Sequence, residues 1–142
     1  MKNLILTFFI IFASFLNIQA QEETFNLTIQ ITGLETDKGK VFLALSDRAE
    51  SFLKKGEGTQ GANAVVQNKK ATIFFKGLKK GNYAVSFFHD ENDNKIMDTK
   101  IFGIPKEPYG FSNNAKGFMG PPSFDDAKFV LDTNKTIFIS VD

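Results

Sequence analysis

The 142-residue chain contains no cysteine and no tryptophan, and only one histidine. Without cysteine there is no disulfide framework, no thiolate nucleophile and no zinc site built on sulfur. With His89 alone, any Ser-His-Asp arrangement must use that residue, and a transition-metal centre would have only carboxylates as its partners. An excess of one charge is lacking too, since 17 Lys and Arg stand against 16 Asp and Glu. That balance favours neither nucleic acid nor an anionic membrane surface as a partner.

What is present begins with one long apolar run. Lys2 precedes Leu4 to Leu16, and Asn17-Ile18-Gln19-Ala20 leads into Gln21-Glu22-Glu23. This is the basic start, apolar core and small-residue cleavage site of a secretory signal. A membrane span needs about 20 apolar residues, and this run has 13. Residues 1–20 are therefore expected to be removed. Residues 21–142 are expected to form one domain, secreted or periplasmic, monomeric, with no membrane span after cleavage. In a compartment that permits disulfides, their absence places stability on packing, dominated by phenylalanine, or on a metal that ties down a long loop. Calcium is the expected cofactor.

Period-two alternation is the main structural signal. Phe25, Leu27, Ile29 and Ile31 alternate with Asn26, Thr28, Gln30 and Thr32, which reads as a half-buried strand ended by Gly33. Lys40 to Ser46 reads as a second strand, with Val41, Leu43 and Leu45 on one face and Phe42 and Ala44 on the other. Asp47 to Gly61 is polar and Gly-rich, a loop with room for one helical turn. Strands are expected at Ala64 to Gln67 and Ala71 to Lys76 around Asn68-Lys69, and at Tyr83 to His89 after a turn over Gly77 to Asn82. Two more are expected at Ala127 to Leu131 and Thr136 to Val141. About seven short strands and no helix predict an all-β fold, an antiparallel β-sandwich of immunoglobulin-like or transthyretin-like type with one long irregular loop. A closed barrel is the alternative.

The most specific chemical signal is Asp90-Glu91-Asn92-Asp93-Asn94-Lys95-Ile96-Met97-Asp98. Oxygen-bearing side chains stand at positions 1, 3, 5 and 9, namely Asp90, Asn92, Asn94 and Asp98, and Ile96 at position 7 offers its carbonyl. Calcium takes about 6 to 8 oxygens, and this spacing lets a tight loop wrap one ion. The EF-hand has Gly at position 6 and Glu at position 12, where this chain has Lys95 and Ile101. The pattern is thus closer to a shortened calcium loop completed by a distant acid or water, with Glu91, Asp93, Asp125 and Asp126 as the acids at hand. The same residues also suit an Asx-rich turn whose side chains bond their own backbone.

Beyond it, residues 99 to 126 are rich in Gly, Pro, Asn and aromatics. Tyr109, Phe111, Phe118 and Phe124 are candidates to line a groove for a carbohydrate or protein partner, with Asn113 and Asn114 as hydrogen-bonding groups. The competing reading is that these aromatics cap the core.

Leu78-Lys79-Lys80-Gly81-Asn82-Tyr83-Ala84-Val85 running into Phe88-His89-Asp90-Glu91-Asn92, then Gly103-Ile104-Pro105-Lys106-Glu107, Tyr109-Gly110-Phe111-Ser112-Asn113-Asn114 and Gly120-Pro121-Pro122-Ser123-Phe124, resemble an exported bacterial family. It is the family catalogued as domain of unknown function 2141. The resemblance covers essentially all of residues 21–142 and implies a secreted or periplasmic β domain at the cell envelope, with no activity, substrate or catalytic residue attached. Where loops of that family often read Asn-Gly or Asp-Gly, this chain has Asn94-Lys95.

Enzyme signals are sparse. Ser86, Ser112 and Ser123 do not sit in a Gly-x-Ser-x-Gly elbow. Gly56-Glu57-Gly58-Thr59-Gln60-Gly61 fits Gly-x-Gly-x-x-Gly but lacks the strand-helix-strand setting that gives this spacing meaning. The expected function is a non-enzymatic, calcium-stabilised domain whose 99–126 loop binds a ligand or partner. A hydrolase using His89 with a loop carboxylate is the alternative.

Overall fold

The computed structural model describes residues 22–54 and 56–141, so the expected signal segment lies outside the described residues. Among the described residues eight strands occur in the order β1 (Thr24–Thr32), β2 (Lys40–Ser46), β3 (Thr59–Val65), β4 (Ala71–Lys79), β5 (Gly81–Asp90), β6 (Tyr109–Phe111), β7 (Phe129–Leu131) and β8 (Lys135–Ser140). One helical turn, α1 (Phe124–Ala127), precedes β7.

The alternation in β1 puts Leu27, Ile29 and Ile31 wholly out of water. Antiparallel β4 sets Ile73 opposite Ile29 and Phe75 opposite Leu27, and β8 completes a three-stranded sheet in the order β4-β1-β8. The second sheet runs β3-β2-β5-β6, and β7 shares the outer edge of β5 with β6. Val41, Leu43 and Leu45 of β2 and Val85 and Phe87 of β5 join the β1 residues in one core. Each such side chain contributes about 1.5–3 kcal/mol of burial. Two sheets closed over one apolar layer make an all-β sandwich. Phe42 and Phe88 stack on the other face of the second sheet, their centroids 5.6 Å apart, so both faces of β2 are partly covered.

Four local differences have physical causes. β8 lies parallel to β1. It is reached by a crossover from β7 in the opposite sheet rather than by a hairpin, which leaves its direction unconstrained. Asn134 then fixes its start by accepting the Asn26 N–H at 2.8 Å.

β3 occupies Thr59–Val65, where a loop and then a later strand were expected. Its Gly, Ala and Asn residues carry little strand preference, and it forms through the backbone ladder with β2, from Ser46↔Thr59 to Lys40↔Val65.

The expected turn at Gly77 is instead a bulge. The register slips between Phe25 and Leu27 of β1, Gly77 takes φ +68°, and its N–H donates to Asn26 Oδ1. β4 therefore continues to Lys79.

Lastly, residues 124–127 turn helically rather than leading straight into a strand. Ser123 Oγ accepts the Asp126 N–H, and the Asp126 carboxylate accepts the Ser123 N–H, a complete capping box.

Candidate functional site

β5 ends at Asp90, which is fully buried, and the chain there folds back around that carboxylate. Asp90 Oδ1 accepts the Asn94 N–H at 3.1 Å and Oδ2 the Lys95 N–H at 2.7 Å. Asn92 Oδ1 accepts the Asn94 N–H at 3.1 Å and Asn94 Oδ1 the Ile96 N–H at 3.0 Å. Both amides also turn an N–H toward Asp98, Asn92 Nδ2 to Oδ2 at 2.7 Å and Asn94 Nδ2 to Oδ1 at 3.3 Å. The loop thus gathers all four side chains of the 1, 3, 5, 9 pattern. In doing so it uses the nested Asx-turn bonds that suit such residues with or without an ion. Among the described residues no three His, Asp or Glu side chains converge as a metal-holding group. The gathered set is two carboxylates and two amides.

Lys95 occupies the position where an EF-hand has Gly, at φ +65°. A left-handed non-glycine costs roughly 1 kcal/mol, and its bond to the buried Asp90 carboxylate offsets that. Gly39, at the start of β2, is tied to the same place: a Cβ there would lie 1.7 Å from the Asp90 carbonyl oxygen.

Sequence reasoning missed Glu107. This buried residue accepts the Glu91 N–H on Oε1 at 3.3 Å and the Asp98 N–H on Oε2 at 3.0 Å, clamping both ends of the loop with one carboxylate. No spacing signal marks it. It arrives because residues 98–106 form a hairpin closed by Lys106 N–H to the Asp98 carbonyl at 2.8 Å, Lys100 N–H to the Ile104 carbonyl at 2.6 Å and a Thr99↔Pro105 bridge. Asp125 and Asp126, the distant acids weighed for the ion, are engaged elsewhere. Asp125 pairs with Lys128 at 2.6 Å, and Asp126 serves the cap, where first the Ser123 hydroxyl and then its N–H hold the carboxyl below its ordinary range.

The 99–126 segment divides into a packed half and an exposed half. Phe111 is buried with Phe52, Ala84 and Ala127, and Phe124 meets Phe52 edge-on at 6.0 Å. These two rings build a small second core, with Phe124 partly exposed and Phe111 reaching the wall of the cavity beside Tyr109. Ser112 is wholly buried beside them, accepting the Val85 N–H at 2.8 Å and donating to the Ala127 carbonyl at 2.6 Å. Asn113 donates to the Lys128 carbonyl at 2.8 Å, and Asn114 accepts the Ser140 N–H at 2.9 Å. Both side chains sew the segment to its neighbours. Of the six proposed contact residues, Tyr109 and Phe118 carry the exposed aromatic surface.

Tyr109 borders a cavity of about 490 Å³, with Glu35, Glu91, Glu107, Lys106 and Asn114 also on its wall. Gly110 lies behind it, and a Cβ there would meet the Phe87 ring at 2.8 Å.

Residues 29–138 match the model of a family described as an uncharacterized protein conserved in bacteria, DUF2141. The chain belongs to the DUF2141 family. No curated protein and no solved structure matches it. The matched span includes the Asp/Asn loop, the clamp at Glu107 and the whole 99–126 segment.

In this DUF2141 domain His89 lies one residue before the loop and is fully buried. Its Nε2 is 2.6 Å from the Lys38 carbonyl, and its N–H donates to the Pro108 carbonyl at 2.7 Å. Nδ1 faces Glu91 Oε1 at 3.7 Å, and neither of those two atoms has a hydrogen-bond partner. The ring holds the Lys38 chain against the end of β5, and the main-chain N–H of His89 holds the Pro108 chain there. Among the described residues no helix is long and apolar enough to cross a membrane.

Proposed function

We propose that this DUF2141 protein is an exported, non-enzymatic domain in which calcium binding at the 90–98 loop stiffens the base of the 99–126 segment. That segment then binds a ligand or protein partner at the cell envelope. The observation that carries the reading is the gathering of Asp90, Asn92, Asn94 and Asp98 at the neck of the 98–106 hairpin. Turning both amides by half a rotation exchanges the N–H groups facing Asp98 for oxygens, and the Ile96 carbonyl adds another. That makes five protein oxygens, leaving one or more places for water in a shell of about 6 to 8. A bound divalent cation supplies charge that holds carboxylates and amide oxygens together.

Export is supported by the Lys2 to Ala20 pattern, and it places the domain where millimolar calcium is plentiful. The burial of His89, with Nε2 against a main-chain carbonyl, favours the non-enzymatic reading over a hydrolase. Calorimetric titration with calcium tests the proposal, the expected Kd being on the order of 0.1–1 mM. No heat, together with an unchanged melting temperature in chelator, would remove the metal from it.

A further inference from the structure

The chain as a whole is close to neutral, yet its charge and its exposed apolar surface are not evenly spread. The 98–106 hairpin ends in a 3-10 turn at Ile101–Gly103, whose middle residue Phe102 has φ +65° and is 96% exposed. Ile101 and Ile104 on either side of it are exposed as well, as is Ile96 below the neck. Lysines alternate with these side chains: residues 95–106 hold Lys95, Lys100 and Lys106 against Asp98 alone, and Asp98 is bonded to two asparagines. Lys106 and Gly117 lie on the wall of one cavity, and from that wall a second exposed apolar pair leaves, Phe118 and Met119.

We propose that the tip of the 98–106 hairpin inserts Ile101, Phe102 and Ile104 into the surface of an anionic lipid bilayer, its lysines meeting the head groups. This rests on the reading of residues 99–126 as the contact region and names the partner. Three apolar side chains on a narrow hairpin bury about 500 Å², below the roughly 800 Å² per side of a stable protein interface. A bilayer needs no matching groove, and apolar tips flanked by basic residues are how a surface-bound segment holds on. The neutral net charge is no obstacle, because head-group attraction acts within a Debye length of the tip.

The chain has no tryptophan, so Phe102→Trp installs a single reporter at a position too exposed to disturb folding. The protein, purified as its host processes it, is mixed with phosphatidylglycerol-containing vesicles and separately with pure phosphatidylcholine vesicles. The expected result is a blue-shifted emission and co-sedimentation with the anionic vesicles. In the parent chain, Phe102→Ser should weaken that binding about tenfold, and Lys100→Glu should weaken it at least about fivefold. An unshifted reporter on anionic vesicles overturns the proposal, as does binding that ignores both substitutions. A shift produced by a soluble protein but not by vesicles overturns it in favour of a protein partner. Vesicle binding without calcium heat supports the bilayer and removes the cation, and calcium heat without vesicle binding does the reverse.

Discussion

Replacing Asp90 with alanine separates a hydrogen-bonded turn from a cation site, because Asp90 would serve both. The substitution removes the acceptor of the Lys95 N–H at 2.7 Å and one of the two acceptors of the Asn94 N–H, at 3.1 Å, leaving Asn92 Oδ1 as the other. A bond to a charged acceptor is worth about 1.5–3 kcal/mol net. Both donors lie on exposed residues and the Asn94 N–H keeps Asn92 Oδ1, so the low end applies to Lys95 and less to Asn94, about 2 kcal/mol for the pair. For a domain of about 120 residues that is roughly 8 °C of melting temperature. This much is expected in chelator. In 5 mM calcium, a site of about 0.5 mM affinity adds roughly 1.4 kcal/mol to the parent and nothing to the variant, so the gap widens by that amount. Asp93→Asn, at an exposed position of the same loop whose left-handed φ of +56° asparagine also adopts readily, should move neither value by more than about 0.5 kcal/mol. Urea unfolding of the three proteins, with and without calcium, reads both terms. A gap that calcium leaves unchanged would refute Asp90 as a ligand. A gap under about 1 kcal/mol in chelator would refute the hydrogen-bond argument itself.

Two other outcomes follow from the buried hub and the helical cap. Ser112→Ala strands the Val85 N–H and the Ala127 carbonyl in a dry site, and chemical denaturation should show a loss of about 2–4 kcal/mol; a loss under about 1 kcal/mol would mean water enters there. The depressed Asp126 carboxyl, held first by the Ser123 hydroxyl, contributes stability that is present above the unfolded-state value near 3.8 and is lost as pH falls through the lower folded value. An Asp126→Asn variant should therefore lose less stability on acidification than the parent, with the two curves converging at low pH, and parallel curves would contradict the assignment.

The legible parts of the fold were those in which side chains alone decide the outcome. Leu27, Ile29 and Ile31 alternate with polar residues, so β1 announces both its period and its buried face. β2 does so too, even to the double coverage shown by the Phe42–Phe88 stack. β3 was illegible because Thr59 to Ala64 form a strand only through the ladder that β2 offers. Gly77 was misleading in an instructive way, since a left-handed glycine suits a bulge as well as a turn, and the choice rests on Asn26 across the sheet. The capping box could have been found, as Ser123 and Asp126 have its three-residue spacing. In the candidate site, the spacing of Asp90, Asn92, Asn94 and Asp98 was readable because the loop is local. Glu107 was not, because it depends on a hairpin whose register no side-chain pattern declares. Aromatic content alone could not separate Phe111 and Phe124, which fill a second core, from Tyr109 and Phe118, which face water.

That clamp determines how the hairpin can be oriented at all. Ile101, Phe102 and Ile104 are exposed and none of them belongs to either core, so no apolar packing at the tip holds the hairpin in place. Its direction is set at the neck, where Asp98 is gripped through its carboxylate by Asn92 and Asn94 and through its N–H by Glu107. Glu107 in turn grips the Glu91 N–H, one residue past the end of β5, so rigidity passes from the sheet to the hairpin through a few polar contacts. Contacts of that kind depend on the charge of the acceptor. Whatever alters the charge at Asp98 or Glu107 therefore acts on the tip without touching it. Glu107→Gln separates this coupling from stability: it keeps one acceptor and the side-chain volume, so the fold should persist. The Phe102→Trp reporter should then lose steady-state anisotropy, and an anisotropy equal to that of the Glu107 parent would show that the neck does not govern the tip.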